Sequence, residues 1–320
     1  MKKNCIVIGA GISGLVAAHE LIKNDWKVTV LDKGKGVGGR MATRRAGEAR
    51  FDHGAQYFST KTPDFRDFTQ TIINANVAKE WHLEAGDKAF SHPRMIGING
   101  MSSIPKFLAE GLSIKTNEKV ISISDTENGC QVETESGNFY QANALIITIP
   151  APQVLELLEK STISCSKSTL EILQNIQYHP CIAVMATLNQ KTNLPKPGGL
   201  SFETGNISWI ADNFQKGISP IFSATIHANP AFSITHFDDD LNLIGKQLLE
   251  EMKEWIPADS IEGFQVHRWR YSLAFERNPN EFLIADSISF PTIFAGDGFG
   301  IGSIEGAYIS GKNAAHKLLA

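Results

Sequence analysis

No stretch of the chain approaches the eighteen or so consecutive apolar residues that a membrane-crossing helix requires, so no transmembrane span is expected. Cysteine is sparse. Cys5, Cys130, Cys165 and Cys181 are scattered, with no Cys-x-x-Cys pair and no metal-ligand spacing, so neither a redox dithiol nor a metal centre is expected. A reducing cytoplasm is the simplest compartment for such a chain. A basic excess is missing as well: 30 Lys and Arg face 34 Asp and Glu, a formal net charge of −4. That balance gives no general attraction to nucleic acid or anionic lipid. There is no internal repeat and no low-complexity tract. The two lysines and apolar run at the start imitate a secretory signal, but glycines interrupt the run and it has a complete use as a strand and turn, so no export signal is expected.

The composition is that of an ordinary globular chain, 42% hydrophobic and 20% charged over 320 residues, long enough for one large or two interleaved domains. The most informative segment is Cys5-Ile6-Val7-Ile8-Gly9-Ala10-Gly11-Ile12-Ser13-Gly14. An apolar run, a glycine-rich turn and a helix-forming stretch follow one another, then a second strand, Lys27 to Leu31, ends at Asp32. That is the arrangement of a dinucleotide site. Gly9 allows the tight turn, Gly11 admits a pyrophosphate to the backbone and Gly14 lets helix and strand approach. The helix N-terminus offers free N–H groups and a positive dipole end. Asp32 is placed to accept from a ribose.

Further on, Gly34 to Arg45 is rich in glycine and arginine and reads as a loop, followed by Phe51-Asp52-His53-Gly54-Ala55-Gln56-Tyr57-Phe58-Ser59. A helix is expected from Pro63 to Asn76, then a polar-aromatic stretch to Met95, then a helix starting near Ser103 with Pro105 in its first turn. Short alternating segments between Lys119 and Ile149, separated by Asn128-Gly129 and Ser136-Gly137, predict a β-meander returning to a buried strand. Residues 151–284 read as α+β, and the chain closes through Thr292 to Gly298 into a helix from Ser303 to Leu319.

Four landmarks stand in one order: Gly9 to Gly14 with Asp32, the Gly38-Gly39-Arg40 loop, Asp52 to Phe58, and Gly296-Asp297 before Gly302-Ser303-Ile304-Glu305-Gly306-Ala307. Together they resemble the FAD-containing amine oxidase superfamily. His53 to Phe58, Gly100-Met101-Ser102 and His267-Arg268-Trp269 look most like its bacterial renalase-type members. The resemblance implies an α/β fold, a Rossmann-type FAD-binding domain of the two-dinucleotide-binding type with an interleaved α+β substrate or cap domain. The expected division gives residues 1–60, 96–150 and 285–320 to the FAD-binding domain, and 61–95 and 151–284 to the cap.

By the same resemblance, FAD is held by Gly9, Gly11, Ile12, Ser13, Gly14, Asp32, Lys33, Gly39, Arg40, Gln56, Tyr57, Val120, Gly296, Asp297, Gly302 and Ile304. Tyr57, His267 and Trp269 are the candidates for the substrate side, with His53 and Arg270 behind them. His267 and Trp269 alternate on an expected strand and so share a face. No second glycine-rich βαβ unit is present for NAD(P)H, and no cysteine lies near the C-terminal motif, so non-covalent FAD is expected. The activity implied is an oxidase that accepts a hydride from dihydronicotinamide isomers, 2- or 6-dihydro NAD(P), at flavin N5 and reduces O2 to hydrogen peroxide. Two alternatives stay open: an amine oxidase or polycyclic-substrate oxidase or desaturase, marked by a lysine at N5 or an apolar tunnel, and a non-catalytic flavin-binding protein.

Overall fold

A computed structural model describes residues 3–81 and 93–320; part of the polar-aromatic stretch expected before Met95 lies outside them. The chain divides into two compact units. The first comprises Met1–Gly39, Pro105–Gln177 and Ala274–Ala320, the second Arg40–Ile104 and Tyr178–Leu273.

The first unit is built on a six-stranded sheet in the order Leu283–Ile284, Thr292–Phe294, Ala144–Ile147, Asn4–Ile8, Lys27–Leu31, Ile114–Lys115. All neighbours run parallel except the edge strand Leu283–Ile284. Its central strands are continuous runs of Val, Ile and Leu because both faces are covered; Ile6, Val7, Leu145 and Ile146 are all buried. Helix Ile12–Lys23 follows the first strand, and the last helix, Ser303–Leu319, lies directly on it. The contact is backbone-close. A Cβ at Gly311 would overlap the Ser13 carbonyl, so only glycine permits the approach. The expected meander is present as antiparallel Val120–Thr126, Gly129–Thr134 and Phe139–Ala142.

The second unit contains a five-stranded sheet ordered Gly199–Ser201, Ile207–Asp212, Ser223–Ala228, Gln177–Leu188, Ile261–Glu276. Alternation divides its side chains between two faces. Val184, Ile210, Ile226 and Val266 pack with Leu248 and Leu249 of helix Leu241–Glu251. The neighbours of these strand residues, Met185, Trp209, His227 and His267, therefore point the other way.

The division departs from the expected boundaries in four places. Residues 40–60 join the second unit because Thr43–Ala46 and Ala49–Asp52 form a hairpin whose Ala49 and Phe51 pack on Met185. The end of the stretch expected to be a loop is thus a strand, turned by Gly47 at φ +57°. Residues 96–104 go with it through the pairing of Met95–Gly97 with Ala78–Glu80. Helices Ala151–Glu159 and Lys167–Gln174 belong to the first unit, where Ile123 N–H donates to Ser161 Oγ and Thr162 N–H to the Ile123 carbonyl. Residues 274–284 join it through the edge strand.

Candidate functional site

The turn after the first strand has two kinds of glycine. Gly9 sits at φ +107°, its N–H donating to the Leu31 carbonyl at 2.8 Å, and a Cβ at Gly14 would overlap the Gly9 carbonyl oxygen. Both are demanded by the protein's own backbone. Gly11 is not: its φ is −74°, and a Cβ there would meet nothing within 4 Å. The room in front of it is available to a ligand. Helix Ile12–Lys23 begins there with no side-chain cap and no acidic residue in its first turn, so its terminal N–H groups and dipole favour an anion.

Two polar groups complete this cradle. Ser13 Oγ is buried with no hydrogen-bond partner in the protein, an arrangement that costs free energy unless a ligand or water satisfies it. Asp32 receives the N–H of Ala10 on Oδ2 at 2.6 Å and that of Gly34 on Oδ1 at 2.7 Å. An ionised carboxylate offers about four acceptor positions, so room remains for ribose hydroxyls. Open space, an uncapped helix, an orphaned hydroxyl and a poised carboxylate fit the pyrophosphate and ribose of a dinucleotide.

The same unit presents a second uncapped helix. Gly302, at φ +71°, precedes Ser303–Leu319 without a capping side chain. The loop before it is tied by Asn278, which donates to the Gly298 carbonyl and accepts from Gly300 N–H at 2.8 Å. Gly296 N–H donates to Ser310 Oγ at 2.8 Å, fixing the strand end to the helix. Asp297 is buried and Ile304 half-buried.

In the second unit, the sheet face opposite the helices carries a polar cluster around Asp52 to Tyr57. Lys216 and Asp52 form an ion pair at 2.8 Å with both side chains 0% exposed. Asp52 Oδ1 also accepts from Thr43 Oγ1 at 2.6 Å and Met101 N–H at 2.8 Å. Gln56 turns its Oε1 to the Lys216 ammonium, 3.5 Å away, and its Nε2 to the Asp52 carbonyl, with His227 Nε2 at 3.3 Å. The His53 carbonyl is 2.8 Å from Trp269 Nε1, which donates to it, and 3.2 Å from His227 Nε2.

Three histidines meet here. His53 lies edge-on to His267 at 4.9 Å and 5.1 Å from the Trp269 ring. Burial, reinforced by the neighbouring His267 imidazole, holds His53 down at about 3. Burial takes His227 to about 4, and burial with the Arg44 guanidinium lowers His267. All are therefore neutral, weakly basic imidazoles near pH 7. Beside them, Tyr57, Trp81 and Trp209 contact one another in an aromatic box, two of whose faces take Arg94: its guanidinium carbon is 4.5 Å from the Tyr57 ring and 5.6 Å from that of Trp209. Such a box suits a cation, and the protein places its own there.

The structure thus brings His267 and Trp269 together, their rings 4.5 Å apart, with His53 packed against both. Tyr57 belongs to the aromatic box instead. Both ends of the Gln56 amide are engaged by neighbouring groups. Arg40 donates to the Tyr271 carbonyl and lies 5.8 Å from the Tyr178 ring, within the second unit, while Gly39 ends the first. Arg270 sits over Phe237 at 4.4 Å, off the face that carries His267 and Trp269. Lys33 is exposed beside Asp32, and Val120 opens the meander at a register shift. Sequence reasoning missed Lys216, His227 and Arg94. Lys216 lies in an irregular polar stretch, and only its burial marks it out.

Residues 7–72 match an NAD(P)-binding Rossmann-like domain and residues 73–319 the flavin containing amine oxidoreductase family. The chain belongs to that family: it is an FAD-dependent oxidoreductase, and FAD is its cofactor. It is similar to renalase of Mus musculus, 23% identical over 313 residues, 83% of this chain and 84% of that protein. A shorter likeness, 45% over 53 residues, links 17% of the chain to 11% of polyamine oxidase 4 of Oryza sativa subsp. japonica. Putrescine oxidase bound to putrescine shares the fold, with a TM-score of 0.75 at 14% identity over 100% of this chain and 99% of that one. Among the described residues, no helix is long and apolar enough to cross a membrane and no group of three or more His, Cys, Asp or Glu could hold a metal ion.

Proposed function

We propose that the protein is a cytoplasmic oxidase acting on 2- or 6-dihydro isomers of NAD(P), in the manner the renalase likeness suggests, with FAD held non-covalently. FAD supplies the two-electron acceptor for the hydride and the route to oxygen. The overall reaction takes the dihydronicotinamide, O2 and a proton to NAD(P)+ and hydrogen peroxide. Oxidation by hydride loss needs no side chain to remove a proton from the substrate. What the protein supplies is binding, orientation and exclusion of the wrong isomers.

In the first unit, Gly11, Ser13, Asp32 and the two uncapped helix ends are the groups that would hold the dinucleotide. In the second, His53, His267 and Trp269 are the substrate-side groups. Their imidazoles are neutral and can orient a carboxamide by hydrogen bonding without competing for its protons. The observation that carries the reading is the aromatic box. An amine substrate calls for an unoccupied cation position among aromatic faces, and here Arg94 fills it. Lys216 is likewise committed to Asp52. The four cysteines are free thiols, and burial pushes Cys130 and Cys181 up to about 12, which leaves them poor nucleophiles for a covalent flavin link.

The test is anaerobic mixing of the yellow protein with each dihydronicotinamide isomer and, separately, with putrescine. Bleaching by a 2- or 6-dihydro isomer with formation of NAD(P)+ is expected. Unchanged flavin absorbance with every isomer, or bleaching by the diamine alone, would reject the substrate class.

A further inference from the structure

Residues paired across an antiparallel hairpin share a face, and Arg44 stands opposite Phe51. Phe51 packs with Ala49 on Met185 of the five-stranded sheet, so Arg44 lies on the side of the hairpin turned toward that sheet. Its side chain is exposed all the same, and no described residue gives its guanidinium a hydrogen bond or ion pair. Its charge reaches His53 and His267 and opposes their protonation. On the same side of the hairpin, between it and the sheet, lies a cavity of about 250 Å³ whose walls include Ala46, Phe51, Met185, Thr187, Gly263 and Gln265. Gly263 contributes room, since a Cβ there would meet nothing within 4 Å. Gly263 and Gln265 alternate in step with His267 and Trp269 along Ile261–Glu276, so they share one face of that strand. From Trp269 to Gly263 the strand covers about 20 Å, at about 3.3 Å per residue. A ring-binding cluster, a cation without a partner and a cavity thus adjoin one another along one side of the sheet.

We propose that this line is the nucleotide subsite of the substrate: Arg44 takes the pyrophosphate of the dihydronicotinamide dinucleotide, the cavity takes its adenosine end, and the dihydropyridine lies at His267 and Trp269. A guanidinium presents a planar fork of donors that matches phosphate oxygens two at a time. With no carboxylate of the protein to neutralise it, the Arg44 charge is available to an anion. The histidines beside it are neutral near pH 7 and leave that charge unopposed. A purine is flat and apolar on its faces, polar at its edge. Phe51 and Met185 suit the first character, and the Thr187 hydroxyl and Gln265 amide suit the second. Binding at this remote end orients the reacting ring, so dinucleotides are favoured over smaller dihydronicotinamides.

The proposal rests on the dihydronicotinamide reading, and ADP-ribose separates the two: it carries the pyrophosphate and adenosine but no ring to oxidise. FAD-loaded wild type, Arg44→Gln, Arg44→Lys and Gly263→Val are titrated with ADP-ribose by calorimetry, the bound FAD keeping the first unit's cradle filled. Wild type is expected to bind it, and Arg44→Gln to bind it about tenfold more weakly or worse, with Arg44→Lys between them. Gly263→Val keeps the charge but occupies the cavity, so it should weaken binding as well. In a second measurement, flavin is reduced anaerobically by the active isomer as the dinucleotide and as its riboside, which lacks both phosphates and adenosine. The half-saturating concentration of the riboside should exceed that of the dinucleotide by about tenfold or more in wild type, and the ratio should collapse in Arg44→Gln. Failure of wild type to bind ADP-ribose, equal binding by Arg44→Gln, or a ratio that survives Arg44→Gln would overturn the assignment. If no isomer reduces the flavin while ADP-ribose binds in an Arg44-dependent way, the substrate reading falls and the nucleotide subsite stands.

Discussion

Gly11 and Gly14 lie three residues apart in one motif and answer to different demands. The Gly14 position is closed by the Gly9 carbonyl, whereas the space before Gly11 contains no protein atom within 4 Å. Gly14→Ala should therefore lower the stability of the FAD-free protein by about 1–3 kcal/mol, the usual cost of overpacking. Gly11→Ala should leave that stability within about 0.5 kcal/mol while weakening FAD binding clearly; denaturant unfolding and FAD titration of each variant separate the two. The histidines give a second expectation. Unfolded histidines take up protons near 6.5, but in the folded chain His53 and His227 resist down to about 3 and about 4. In that interval the unfolded state binds more protons, so stability rises with pH. It is fully present above about pH 6.5 and lost as the pH falls toward 4. His227→Gln should flatten this slope in thermal melts taken at stepped pH; an unaltered slope would mean His227 is not held neutral. At this scale the glycine turn was legible because its spacing, between an apolar strand and a helix-forming stretch, prescribes a tight strand-to-helix turn. Lys216, His227 and Arg94 were not, because their meaning lies in burial and in partners distant along the chain.

At the scale of elements, the contact between the first and last helices is the most specific packing feature of the first unit. Gly311 brings the helix backbones together against Ser13, whose hydroxyl belongs to the cradle. Gly311→Leu should separate them, reducing stability by about 1–3 kcal/mol and, unlike a surface change, weakening FAD binding in parallel. Retained affinity in a destabilised variant would show that the cradle does not depend on this contact. The nucleotide-binding strand and helix, the meander and the last helix, Ser303–Leu319, were readable because their periods are long or their turns carry glycine. Helices Lys167–Gln174 and Pro230–Thr235 span barely two turns, too short for a periodic signal to stand out. The hairpin ending at Asp52 was obscured because Thr43-Arg44-Arg45 reads as a polar loop until Ala49 and Phe51 are seen packing on Met185.

At the scale of the molecule, the two units are interleaved, three segments of the first around two of the second. The sequence conveyed the interleaving but not its boundaries, since residues 40–60 and 151–177 are assigned by long-range packing and not by composition. FAD that binds only the folded chain must stabilise it by mass action, adding about 2.7 kcal/mol at a free concentration one hundred times its Kd. The melting temperature should accordingly climb with added FAD.

The central claim is that the opening glycine turn and the closing helix of this chain form the seat of one FAD. Stripping the purified protein of flavin and titrating it back with FAD, followed by the visible flavin spectrum and bound stoichiometry, tests that claim directly. The account predicts saturable uptake of about one FAD per chain, with a yellow product. A protein that stays colourless, or takes up FAD equally well after Gly11→Ala, would contradict it.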